Sequence, residues 1–245
     1  MRLTYLLFIL LPGTWSVFGQ ANPESQYAIG NFGSAASGVN GPIGVFNDTK
    51  SFKGTPYLFE EWCNGEITFL NDKKLIVEKL RYDIYKDELL VFRNDNEMGI
   101  LPKNLIKGFT INSPKDINAL RYIKAEQIPA LQHIVADQFL QVLYQSEETG
   151  LYARNWKSFH KADHRATYYT EQNIDEFSDS KQELFLVKKD GSVHELALRR
   201  GAILSTLEDQ KSTLKNFIKE NQLIFEDTKD LVEVIKYYDQ IALKE

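Results

Sequence analysis

Four histidines and a single cysteine are the residues of this chain best suited to metal or nucleophilic chemistry. His160, Asp163 and His164 stand in the order H-x-x-D-H. On a helix the two histidines would share a face, and two imidazoles with a carboxylate could hold zinc. Phe159 ends a strand-like run just before them, no distant third ligand stands out, and the order is not the H-E-x-x-H of a metalloprotease. The segment reads as a histidine-bearing surface loop, and His160, Asp163 and His164 are the chain's one metal candidate. Asn94 to Glu97 is rich in oxygen but lacks the D-x-D-x-D-G spacing and distal Glu of a calcium loop. There is no G-x-S-x-G elbow, and the flanks of Cys63 match no protease signature; a triad assembled only in space stays open. Glu60-Glu61, Asp87-Glu88, Glu147-Glu148 and Asp175-Glu176 are carboxylate doublets. Adjacent residues on a strand face opposite ways, so these are not pairs facing each other across a sugar. No catalytic residue and no cofactor is assigned.

These residues must be positioned by a chain of 245 residues with 43% hydrophobic and 26% charged content, which is ordinary globular composition. The formal net charge of -5 disfavours a nucleic-acid partner, because phosphate neutralisation needs a basic surface. One cysteine excludes an internal disulfide framework and a cysteine-rich zinc module. Cys63 follows Trp62 and reads as a buried small hydrophobe, with an exposed thiol as the other option.

The first 21 residues read as a secretory signal peptide. Arg2 gives a positive start, Leu3 to Leu11 is a short apolar run, and Pro12-Gly13 ends it. The run is too short to span a bilayer. Cleavage is expected after Gly19 or Ala21. Residues 22–54 form a Gly/Asn/Ser-rich leader, whose glycines lack the Gly-Lys-Ser/Thr ending of a phosphate loop.

Residues 55–200 read as a β-rich body. From Thr55 to Ile111 short runs alternate with polar turns: TPYLFE, GEITFL, KLIVEKL, RYDIY, LLVFR, MGIL and IKGFTI. Tyr, Phe, Ile, Val and Leu fill the runs, and Asn, Asp, Gly and Lys fill the gaps, which is the pattern of an antiparallel meander. Alternation puts Tyr82 and Ile84 on one face and Arg81, Asp83 and Tyr85 on the other. Leu120, Tyr122 and Ile123 suggest a further strand, and Ala130 to Ala136 a short helix or a turn. Phe139 to Tyr144 and Leu151 to Phe159 read as a strand and its return. Glu183 to Lys189 and Ser192 to Arg199 flank Asp190-Gly191, the signature of a tight two-residue hairpin turn. The aromatic residues, 12% of the chain, read chiefly as core, with Tyr85 facing outward.

Residues 201–245 read as a helical tail packed on the body. Ala202 to Asp209 and Lys211 to Asn221 show helical spacing. Thr228 to Ala242 forms a helix capped by Asp227 or Thr228, with Leu231, Val234, Ile235, Tyr238, Ile241 and Ala242 as its apolar stripe. The fold class is α+β: a mostly antiparallel meander, curved or paired into a sandwich, with a C-terminal helical pair.

The run GEITFLNDKKLIVEKLRYDIYKDELLVF, the Phe139 to Tyr144 strand, Lys161-Ala162-Asp163 and the ending LKNFIKENQLIFEDTKDLVEVIKYYDQI resemble a family of uncharacterised exported β-rich proteins of Gram-negative bacteria. The resemblance covers Thr55 to Ile241. It implies export, a β-rich body and a helical tail, and carries over no functional residues. The resulting expectation is a periplasmic or extracellular, non-enzymatic binding or structural protein of the cell envelope. Its partner would be a protein or another envelope component, with no membrane span in the mature chain. The alternatives are an envelope hydrolase with a spatially assembled carboxylate or histidine site, and a carrier of an apolar ligand.

Overall fold

The computed structural model describes residues 52–94, 97–114, 118–162 and 174–242. The signal segment, the leader up to residue 51, Asp95, Asn96, and the metal candidates Asp163 and His164 lie outside the described residues.

Twelve strands are present among the described residues: β1 (Cys63–Phe69), β2 (Lys74–Asp83), β3 (Glu88–Asn94), β4 (Glu97–Ile100), β5 (Ile106–Asn112), β6 (Ala119–Lys124), β7 (Phe139–Gln145), β8 (Thr149–Trp156), β9 (Phe159–His160), β10 (Glu176–Phe177), β11 (Lys181–Lys188) and β12 (Val193–Leu196). Three helices follow: α1 (Arg200–Thr206), α2 (Lys211–Glu220) and α3 (Thr228–Ala242). Ten strands form one antiparallel sheet in the order β12-β11-β8-β7-β6-β5-β1-β2-β3-β4, and β9 pairs with β10 in a separate ladder. The α+β class read from the sequence is the observed one, with the first helix of the expected pair divided into α1 and α2.

The sheet curls because β2 is bent. Opposite β1, Gly65 pairs with Val77 and Cys63 with Leu80, so Glu78 and Lys79 face a single residue, Asn64. That extra residue is a bulge, which bends a strand and raises its twist. Beyond it, Leu80–Asp83 pair with β3 rather than continuing flat. The two runs KLIVEKL and RYDIY, separate on sequence grounds, are therefore largely one strand. Gly65 is required at the bend: a Cβ there would lie 2.2 Å from the Thr110 carbonyl oxygen and 2.8 Å from Leu80 Cδ2.

The bend carries the end of β2 and the turn after it over the inner face of β5, β6 and β7. Tyr82 from β2 meets Phe109 and Tyr122 edge-on at 5.1 Å each, and Phe139 at 6.2 Å. Phe109 and Tyr122 stack at 4.7 Å. All four rings are buried. Each such ring pair adds about 0.5–1.5 kcal/mol beyond the area it removes from water. At the other end of the same face, Leu151 and Ala153 of β8, Leu184 and Leu186 of β11 and Leu196 of β12 pack under the three helices. The stripe residues Leu231, Val234, Ile235 and Tyr238 are buried there, while Ile241 is half-buried and Ala242 exposed. The tail thus docks on its own sheet. Among the described residues, no helix is long and apolar enough to cross a membrane.

The outer face is covered over only part of its width. Between β6 and β7 the chain makes two 3-10 turns, Ala125–Gln127 and Pro129–Leu131. Ala125, Ile128, Leu131 and Val135 lie against Leu140, Tyr152 and Phe185. A helix over Ala130 to Ala136 does not form: the 3-10 turn that Pro129 opens stops at Leu131.

Several local expectations change. Thr55–Glu60 is a strap and not a strand, joined to β2 by a single bridge between Tyr57 and Asp83. Asp83 does not face solvent. Its carboxylate turns back to accept the amides of Tyr85 at 3.0 Å and Lys86 at 2.9 Å, and it is buried in doing so. The Asp190-Gly191 turn is one residue longer than expected. The Lys188 amide reaches the Ser192 carbonyl and the Gly191 amide the Lys188 carbonyl, with Gly191 at φ 82. That combination is a turn closed by a glycine bulge. Cys63 is buried, and Tyr85 is exposed, as read from the sequence.

Candidate functional site

The expected metal candidate is only partly placed. His160 is exposed on β9, directly opposite Glu176 of β10. Its Nε2 is 3.0 Å from the Ser158 hydroxyl. The nearby Asp175 carboxylate accepts the Ala162 amide at 2.9 Å. Phe52, Tyr85, Phe159 and Phe177 form a ring cluster at this corner. Among the described residues, no group of three or more His, Cys, Asp or Glu side chains is arranged to hold a metal ion. His133 and His194 lie far along the chain from this corner, on the segment before β7 and on β12.

Four polar groups, Asp87, Asp239, Asn155 and Lys157, tie the architecture together; Asp239 and Asn155 are buried, and Asp87 and Lys157 half-buried. At the strand-covered end, Asp87 accepts the Tyr82 hydroxyl at 2.5 Å and the Phe139 amide at 3.2 Å, and pairs with Lys103 at 2.5 Å. Burial, with the Asp87 charge next to it, pushes the Tyr82 phenol well above its ordinary range. Lys103 also reaches Asp137, which pairs with the buried Lys124 at 3.0 Å. Burial opposes the Lys124 charge, but its hydrogen bond to Asp137 and the nearby acids outweigh that, and its ammonium is held above the usual lysine range. Burial likewise opposes the Asp137 charge, and the two lysines overcome it and hold the carboxyl low.

At the helix-covered end, Asp239 of α3 is buried with Thr149 at 2.9 Å and Ser146 at 2.5 Å. Tyr144 joins the same carboxylate, and burial together with that bond raises its phenol. Between the two ends, the Asn155 amide donates to the Tyr122 hydroxyl at 2.9 Å and to Gln141 at 3.0 Å. Further along β8, the Lys157 ammonium donates to the Thr55 and Tyr57 carbonyls, fastening the strap. Burial holds this ammonium below the ordinary lysine range. Each of these groups joins one element to another, and a buried polar group left without such a partner would cost about 1–3 kcal/mol.

The remaining polar surface of interest is the outer face of β2, β1, β5 and β6. Residues that alternate with the buried Ile67, Phe109 and Tyr122 project there: Lys74 and Ile76 from β2, Glu66 and Thr68 from β1, Thr110 from β5, Arg121 and Ile123 from β6. The covering segment stops beside it, where the Gln127 side chain donates to the Lys107 carbonyl. In β5, Thr68 pairs with Gly108 and Phe69 with Ile106, leaving Lys107 as an extra residue. Such a bulge re-aims its side chain, and here Lys107 pairs with Asp72 across the rim. Gly108 supplies no side chain, and a Cβ on it would meet the Tyr122 carbonyl oxygen at 2.5 Å. The result is an open depression of about 260 Å³ bordered by Glu66, Thr68, Lys74, Lys107, Thr110 and Arg121. No acid among the described residues pairs with Arg121, whereas Lys74 holds Glu66 at 2.7 Å.

The sequence reading did not find this face. It saw the alternation in each strand but not that β5 returns to β1, which is what sets Thr110 beside Glu66. Asp239 did carry a signal: it is an acid four residues after Ile235, inside an otherwise apolar stripe. Comparisons with family models, with curated proteins and with solved structures found no match.

Proposed function

We propose that this chain is an exported, non-enzymatic binding or structural protein of the cell envelope, and that its contact surface is the open face of β2, β1, β5 and β6. One observation carries the reading. The inner face of the sheet is closed at both ends and the outer face is closed over β7, β8 and β11, but Thr68, Thr110 and Arg121 on the remaining strands lie half-buried or exposed beside a bare depression. The export part of the proposal rests on the apolar run of residues 3–11 and on the resemblance to exported proteins. The non-enzymatic part is supported by how Asp87, Asp239 and Asn155 are used: each is engaged in holding elements together.

The helical tail is the weaker contact surface, because its apolar stripe is already docked. An apolar carrier is disfavoured by the four rings that fill the curl. An envelope hydrolase draws support from the 3.0 Å contact between Ser158 and His160. Ser158→Ala should leave the protein's envelope behaviour unchanged if the binding reading is right.

The test is export and fractionation of the full chain. The mature protein is expected to begin at Gln20 or Asn22 and to associate with the envelope fraction. Arg121→Glu combined with Lys107→Glu should release it while leaving its circular dichroism intact. A chain that keeps Met1 inside the cell, or a folded charge-reversed variant that still associates, overturns the proposal.

A further inference from the structure

The chemistry of the depression narrows the class of partner, an inference that rests on the open face being the contact surface. The chain as a whole is acidic, with a formal charge of -5. The depression runs the other way: Lys74, Lys107 and Arg121 border it against Glu66 alone. Even when Asp72 on the rim is counted with Lys107, the cations outnumber the acids. Lys74 and Lys107 each have an acid, so the uncommitted charge is the Arg121 guanidinium. A guanidinium presents a planar fork that matches a carboxylate with two parallel hydrogen bonds, something a lysine cannot do. Thr68 and Thr110 place hydroxyls on the same floor, and the bare Gly108 lets an incoming group approach the sheet closely.

The apolar groups beside the depression separate a protein from an acidic glycan. Ile76, on the same face, is 78% exposed, and Leu70 just after β1 and Leu105 just before β5, joined by a backbone hydrogen bond, are also exposed. Sugars are commonly held against an aromatic ring face. The rings that border this depression, Phe109 and Tyr122, are buried and belong to the opposite side of the sheet. Exposed aliphatic side chains beside an unpaired guanidinium suit a polypeptide that carries a carboxylate next to an aliphatic residue.

We infer that the open face binds a partner protein through an acidic surface segment, with a Glu or Asp carboxylate on Arg121 and an aliphatic neighbour on Ile76. The probe is a short blocked peptide, acetyl-Leu-Glu-Leu-Glu-Ser-amide, titrated into the ¹⁵N-labelled full chain. Saturable amide shifts are expected at Thr68, Thr110, Arg121 and Ile76. Binding should weaken about tenfold in Arg121→Gln, the equivalent of losing one charge-assisted contact. It should weaken further as salt rises from about 0.05 to 0.3 M. A glutamine-for-glutamate version of the peptide should not bind. Shifts scattered over the chain, or unchanged affinity in Arg121→Gln, overturn the inference. Tighter binding of polygalacturonate than of the peptide overturns it in favour of an acidic glycan. The two levels fail separately. If charge reversal releases the protein from the envelope but neither probe binds, the face is the contact and the partner is not acidic. If charge reversal releases nothing, the contact surface itself is wrong.

Discussion

The two ends of the sheet's inner face are closed by different materials. At one end the sheet folds over itself, and the end of β2 lays Tyr82 on the rings of Phe109, Tyr122 and Phe139. At the other, three helices lay Ile203, Leu214, Ile218, Leu231 and Ile235 on the aliphatic side chains of β8, β11 and β12. The strand cover uses large flat groups because two strand layers must fill a wide gap with few side chains per strand. The helix cover uses aliphatic side chains on three short rods. Both ends nevertheless finish with the same device, an aspartate that gathers hydroxyl or amide donors from another element: Asp87 at the strand end and Asp239 at the helix end. Closing both ends of one face by local means leaves the outer face of β2, β1, β5 and β6 with no structural duty.

The strongest way to break this comparison is one core substitution at each end. Ile235→Ala leaves a cavity under α3 and should cost about 2–5 kcal/mol. Gly65→Ala forces a methyl against the Thr110 carbonyl and should cost about 3 kcal/mol, the upper range for overpacking. The two should differ in their spectra. Gly65→Ala should depress the near-ultraviolet dichroism that reports the packed rings. Ile235→Ala should chiefly depress the helical signal. Equal effects on both signals from both variants would mean that the ends are not distinct covers.

A smaller effect separates the two aspartates. Asp239→Ala strands the hydroxyls of Ser146 and Thr149, and Asp87→Ala strands the Tyr82 hydroxyl and the Phe139 amide. Each should cost about 1–3 kcal/mol in chemical denaturation. Hydrogen exchange should place the loosening in α3 for the first variant and in the β2–β3 turn for the second. Protection lost uniformly across the sheet in either variant would count against local closure.

The smallest effect is a pH dependence. The Asp137 carboxyl is held below its ordinary value in the folded chain. Its contribution is therefore present above the unfolded value of about 3.9 and is lost as pH falls through the lower folded value. Asp137→Asn should lower the melting temperature slightly at neutral pH, and the difference should vanish in strong acid. Asp137 is well exposed, so solvent screening keeps its effect on stability small. A difference that grows on acidification would contradict the Lys124–Asp137 pairing.

Much of the fold was legible in the sequence, for reasons visible at particular residues. The helix over Thr228–Ala242 could be read because its stripe keeps one period across its length. The strands of the meander could be read because Asn, Asp and Gly stand where the chain turns; Asp72 and Asp87 both adopt positive φ, at 60. The sequence divides KLIVEKL from RYDIY between Leu80 and Arg81, where polar and aromatic residues resume; pairing with β1 and β3 shows instead one strand that runs through this point, with a bulge at Glu78 and Lys79 just before it. The candidate site was not legible, because it depends on β1 and β5 meeting across the intervening hairpins. Alternation within a strand says which residues share a face but not which strand lies beside it.

The most direct test places a photo-reactive benzoylphenylalanine at Ile76 on the open face or at Lys229 on the outer surface of α3, with cross-linking in intact cells that export the full chain. A discrete adduct from position 76 and none from position 229 is the expected result. An adduct from position 229 alone, or from neither position while the protein still associates with the envelope, would contradict the open sheet face as the contact surface.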